Sequence, residues 1–196
     1  LDEEKYNLPG TEGLKYVMSP PLRNKSNQEK LWRGIRNGDI QVVATDHCPF
    51  SYEKEKVPMG KDNFAKCPNG APGVEARMPV LFSEGVMKGR ISINKFVEVT
   101  STNPAKICGM YPKKGSIAVG SDADLVIIDK NKKVTITKDL FHENVDYTSY
   151  EGIELEGYPV MTIVRGKVIV KDNVFVGEEG YGQFIKRYKN DEYVVY

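Results

Sequence analysis

Residues 41–50, QVVATDHCPF, decide how the chain is read. The apolar run IQVVAT at 40–45 leads straight into Asp46, His47 and Cys48, and Pro49 stops it. A short continuous apolar run reads as a strand buried on both faces, as in a parallel sheet. Upstream, GLKYVM at 13–18 reads as another short strand, broken by SPPLR. Between the two lies SNQEKLWRGIRNG, a helical pattern. Ser26 and Glu29 have the spacing of a capping box, Leu31, Trp32 and Ile35 share one face, and Gly38 is a helix stop. Strand, helix, strand is a βαβ unit with a parallel sheet.

Downstream, residues 49–73 are rich in Pro, Gly, Lys and Asn and read as a long loop, of a length that is usually functional or disordered. GVEARMPVLFSEGVMKGR reads as a helix bent near Pro79. SINKFVEVTS reads as a second helix capped by Ser92, and TNPAKICGM as a third, capped by Asn103 with Pro104 at its first position. Past Pro112 the texture changes to short β-branched runs joined by Gly and Asp-Asn turns, with RGK and KDNV as tight hairpin connections and KNKK at 130–133 as a solvated hairpin end. The predicted division is therefore α/β before residues 109–115 and small antiparallel strands after it.

Composition narrows the class. The 196 residues carry 40% hydrophobic and 28% charged residues and a net charge of +1, ordinary for a soluble domain and giving no reason to expect nucleic acid or a membrane as partner. No apolar run approaches the roughly 20 residues of a membrane span. The acidic start LDEEKYNLPG is no signal peptide, and the missing initiator Met suggests a chain that begins partway through a longer protein. Three cysteines, with no zinc-finger spacing, read as reduced thiols of a cytoplasmic protein.

Active sites of parallel α/β folds sit at the carboxyl ends of strands. Asp46 is the foremost candidate there, as a metal ligand or proton acceptor on one reading and as a cap or turn-former on the other. His47 points to the opposite side of the strand end and reads as a hydrogen-bonded loop histidine. Cys48 reads as a buried thiol, and His142 as a surface or packing residue. Ser19 before two prolines and Asn69 before Gly70 are turn signals in their own right. Asp122 and Asp124 shape the turn before a strand, since their spacing does not match a calcium loop.

In order along the chain, SPPLR, TDHCPF, GKDNF, CPNGAPGVEARM, the stretch GRISINKFVEV through DLVIID, VDYTSYEG and GYPVMTIVRGKVIV resemble the cyclic amidohydrolases of the dihydropyrimidinase and D-hydantoinase type. The resemblance implies the carboxyl-terminal portion of a (β/α)8 TIM barrel at 1–112, β-sandwich strands at 113–176 and a tail at 177–196. It implies a site with two metal ions, usually zinc, in which Asp46 is both ligand and base, and a cyclic amide held through backbone groups at Ser19 and Asn69. It implies hydrolysis of a dihydropyrimidine or hydantoin to an N-carbamoyl amino acid, and a homo-oligomer. That family also needs an early His-x-His pair, a carboxylated lysine and two later histidines. With only His47 and His142, the chain is expected to lack those ligands and to be inactive in isolation. The runner-up is a non-catalytic assembly protein of the same superfamily, of the collapsin response mediator type.

Overall fold

A computed structural model describes residues 1–188. The carboxyl-terminal half is built by local turn chemistry. Strands β1 (Leu125–Thr135), β2 (Glu154–Val164), β3 (Lys167–Lys171) and β4 (Val174–Phe175) form one antiparallel sheet in the order β1-β2-β3-β4. The β2–β3 turn has Arg165 and Gly166 at φ 46° and 81°, and the β3–β4 turn has Asp172 and Asn173 at φ 49° and 65°. Two consecutive left-handed residues give the two-residue turn whose twist matches paired strands, so both expected hairpins are present. KNKK is not a hairpin end. From Asp129 to Lys133, β1 advances four residues while β2 moves only from Tyr158 to Glu156. The basic run is therefore a bulge inside β1, and the strand resumes because Ile136 just beyond it is fully buried.

The helical half departs further from expectation. Helix α1 (Asn27–Asn37) ends on Gly38 at φ 89°, as its sequence signals. Ser26 does not cap it, because its own backbone is helical, and Glu29 pairs with Arg36 instead. The 49–73 segment is folded: a π-helical turn (Tyr52–Lys56) runs into α2 (Val57–Gly60), and a 3-10 turn follows (Phe64–Lys66). Helix α3 (Arg77–Leu81) continues as a π-helical stretch (Phe82–Met87), with Pro79 in the first turn, where its missing N–H breaks no bond.

The two helices expected after it are one continuous run. Helix α4 (Ile93–Val97), capped by the Ser92 hydroxyl as expected, passes through a π-helical turn (Glu98–Thr102) into α5 (Asn103–Ile107). Asn103 is consequently interior, 3% exposed, and no cap. The π turn and Pro104 together leave the Val99 carbonyl without a helical donor, and the Val43 N–H takes it at 3.1 Å.

That bond bears on the expected parallel sheet. Among the described residues neither 13–18 nor 40–45 enters a β-ladder. GLKYVM starts inside a 3-10 helix (Glu12–Tyr16) that buries Leu14 and Tyr16. IQVVAT is extended, and three of its backbone groups are bonded from the helices: Val43 N–H by Val99, the Val43 carbonyl by Arg77 Nη1 at 2.9 Å, and the Gln41 carbonyl by Asn103 Nδ2 at 2.9 Å. These three groups are paired without a neighbouring strand.

Two apolar clusters hold these parts together. Ile35, Leu81, Phe82, Ile91, Phe96 and Val99 form one, with Phe82 and Phe96 edge to face at 5.4 Å. Ala76, Ile136, Phe141, Leu155 and Tyr158 form the other, where the sheet lies on α3. Truncating Phe96, 3% exposed, leaves a cavity inside the first cluster. Phe96→Ala is expected to cost about 3–5 kcal/mol, measured by denaturant unfolding.

Candidate functional site

Three segments converge on one surface. The first is 17–19, after the 3-10 turn that buries Leu14 and Tyr16; the second is 46–48, at the end of the extended apolar run; the third is 68–71. Gly70 N–H donates to the Val17 carbonyl at 3.1 Å, and Cys48 N–H to the Ala71 carbonyl at 3.3 Å. The contact at Gly70 is so close that a Cβ there would lie 2.3 Å from the Cys48 carbonyl oxygen.

Ser19 and Asn69 line one cleft of about 580 Å³, whose apolar wall includes Leu8, Leu14, Val17 and Phe64. Asp46 is not among its lining residues. It stands exposed at the head of the adjoining segment with φ 47°. A left-handed backbone costs a non-glycine residue about 1 kcal/mol, and such strain concentrates at functional positions. Among the described residues its carboxylate has no hydrogen bond or ion pair.

His47 behaves as a loop histidine. Its Nδ1 accepts the Gly73 and Val74 N–H groups at 3.1 and 3.3 Å, where the chain enters α3. Glu143 Oε1 lies 3.8 Å from the same nitrogen, and Glu75 joins Glu143 to His142, an exposed residue. Cys48 is exposed rather than buried; Cys67 is the buried thiol, and burial pushes its pKa up. Asp122 accepts from Lys113 and Lys114, chiefly from Lys113, which hold its carboxyl below the usual range at the turn before β1.

Sequence reasoning missed Lys56 and Asp146. Lys56 is 0% exposed, and its ammonium donates to the Val17 and Pro68 carbonyls, each at 3.0 Å. Burial pushes its pKa down. Asp146 accepts from the Tyr52 and Glu53 N–H groups at 2.6 and 2.9 Å and from Ser51 Oγ at 2.9 Å, at the start of the helix that carries Lys56. Burial raises the Asp146 pKa, but these donors outweigh it and the net shift is downward from 3.8. A carboxyl with a depressed folded pKa contributes stability above its unfolded value, lost as pH falls through the folded one. Melting temperatures should therefore fall as pH drops below about 3.8, with a shallower slope in Asp146→Asn. The signal for this helix was Ser51 with Glu55: Ser51 Oγ accepts the Lys54 N–H, and Glu55 accepts the Ser51 N–H at 2.7 Å.

Among the described residues no group of three or more His, Cys, Asp or Glu side chains is arranged to hold a metal ion. Asp46 supplies one carboxylate and does not make a metal site alone. Among the described residues no helix is long and apolar enough to cross a membrane.

Residues 12–169 match the model of the amidohydrolase family, and the chain belongs to that family. Within it, the chain is similar to the D-hydantoinase of Geobacillus stearothermophilus, 48% identical over 189 residues that cover 96% of this chain and 40% of that protein. Two solved structures superpose with a TM-score of 0.92 each: a D-hydantoinase from Bacillus sp. AR9 at 51% identity, covering 95% of this chain and 41% of that one, and a dihydropyrimidinase from Brevibacillus agri at 49%, covering 95% and 40%. The chain thus spans about 40% of the length of the curated relatives it matches. The mixed α/β fold is that of the hydantoinase structures.

Proposed function

We propose that this chain is the carboxyl-terminal part of a metal-dependent cyclic amidohydrolase that opens the ring amide of dihydropyrimidines or hydantoins to give N-carbamoyl amino acids. The observation that carries this reading is the convergence of three segments: Ser19 and Asn69 line one cleft, and 46–48, with Asp46 at its head, is bonded to Ala71, two residues past Asn69. In this reading, backbone groups at Ser19 and Asn69 hold the cyclic amide. Water adds to the ring carbonyl, the C–N bond breaks, and the Asp46 carboxylate takes a proton from the water and delivers it to the departing nitrogen. Asp46 would also be one ligand of the two zinc ions, whose other ligands would come from residues outside this chain. Residues 1–112 belong to the barrel, 113–176 to the sandwich, and 177–196 form a tail, of which 189–196 lie outside the described residues. The enzyme is a cytoplasmic homo-oligomer. The assembly-protein reading is not favoured, because the relatives reported above at 48–51% identity are hydantoinases and a dihydropyrimidinase.

The test is product analysis on the full-length protein supplied with dihydrouracil and with 5-phenylhydantoin. Release of the N-carbamoyl acid from either supports the reading, and turnover of neither in metal-loaded protein overturns it.

A further inference from the structure

Lys56 occupies a place that neither folding nor the proposed chemistry obviously requires. A fully buried ammonium is costly, and among the described residues no carboxylate pairs with it. Its hydrogen bonds go to two carbonyls only, Val17 and Pro68, each at 3.0 Å. Val17 lies two residues before Ser19, and Pro68 directly precedes Asn69. The ammonium therefore bridges the two stems that present the cleft's polar groups, on the same Val17 carbonyl that accepts the Gly70 N–H.

The element holding Lys56 is itself fixed at both ends. Asp146 binds its first turn through Tyr52, Glu53 and Ser51. At the other end Gly60 is packed so closely that a Cβ would lie 2.8 Å from Cys67 Cβ and 3.1 Å from Leu14 Cδ2. Cys67 and Leu14 belong to the same two stems. Helix 52–60 is thus a wedge seated between them, with Lys56 as its polar contact.

We propose that Lys56 is a positioning residue for substrate recognition: by tying the Val17 carbonyl to that of Pro68 it sets the separation of the backbone segments at Ser19 and Asn69. The role rests on the function proposed above. It acts on binding groups and not on the proton transfer at Asp46, so its loss falls on KM rather than kcat.

The experiment compares wild-type full-length enzyme with Lys56→Met, which keeps the stem and removes the donors, and Lys56→Gln, which keeps one donor group. KM and kcat for dihydrouracil and 5-phenylhydantoin are measured together with bound metal and amide hydrogen exchange in peptides covering 17–21 and 68–71. In Lys56→Met, KM should rise on the order of tenfold, with kcat and metal content close to wild type and exchange accelerated in those two peptides but not in β2 and β3. Lys56→Gln should fall between Lys56→Met and wild type, and it carries the test if Lys56→Met does not fold. An unchanged KM with unchanged exchange in a folded variant overturns the proposal, as does a uniform rise in exchange with KM unaltered, which marks a merely structural lysine. If wild type hydrolyses neither compound, the function reading fails, and the exchange pattern decides the clamp by itself: selective acceleration upholds it and none overturns it.

Discussion

Asp46→Asn in the full-length enzyme is expected to lower kcat by about 10²–10⁴-fold, the usual contribution of a positioned proton-transfer group, while leaving the fold intact. The separation of the two effects follows from local geometry. Asp46 sits at φ 47° with an exposed side chain, and asparagine adopts the left-handed region at least as readily as aspartate. Shape and backbone are therefore preserved, and only the charge and the proton-accepting oxygen are lost. In the proposed role the same change also takes away an anionic metal ligand, so bound metal should fall with activity. Steady-state kinetics, metal content and the melting temperature of the two proteins check this together. A variant that keeps wild-type turnover would remove Asp46 from the chemistry, and one that unfolds would make it a structural turn residue.

Gly70→Ala is expected to damage both stability and binding. The added methyl would lie 2.3 Å from the Cys48 carbonyl oxygen and 2.9 Å from Cys48 Cβ, distances that no side-chain rotation can relieve. Either the 46–48 segment or the 68–71 segment must move. Overpacking of this kind costs about 1–3 kcal/mol and sometimes more. Because Asn69 and Asp46 ride on the two segments forced apart, a shift of about 1 Å can lower kcat/KM on the order of 10²-fold. Gly182→Ala is the control, since nothing lies within 4 Å of a Cβ there and it should behave as wild type. Equal kcat/KM in the two variants would show that the segments do not depend on their contact at Gly70.

What the sequence discloses depends on how local the cause is. The hairpins at 165–166 and 172–173 were readable because the turn residues carry the left-handed backbone themselves. The stop of α1 at Gly38 and the Ser92 cap were readable for the same reason. IQVVAT was readable as extended and apolar, but not for its partners: the Val99 carbonyl is freed by a π turn ahead of Pro104, and Arg77 and Asn103 reach back from elements 30 or more residues away. Helix 52–60 carries only the local Ser51–Glu55 signal, while its start is also anchored by Asp146, more than 90 residues on, and Lys56 bonds to backbone carbonyls, which no side-chain pattern marks. Asp46 stood out by its place at the end of an apolar run, whereas Ser19 and Asn69 looked like ordinary turn residues and were singled out by family resemblance alone. Their shared cleft is a tertiary fact, made by the Val17–Gly70 bond.

The most direct test of the central claim, that Asp46 belongs to a metal-dependent amidohydrolase site completed by residues outside this chain, is metal content. Metal bound per chain would be measured for the 196-residue chain and for the full-length protein, prepared with the same zinc supply. The expected result is about two ions per chain in the full-length protein, as in two-metal hydrolase sites, and none above background in the 196-residue chain. Stoichiometric metal in the short chain, or none in the full-length protein, would contradict it.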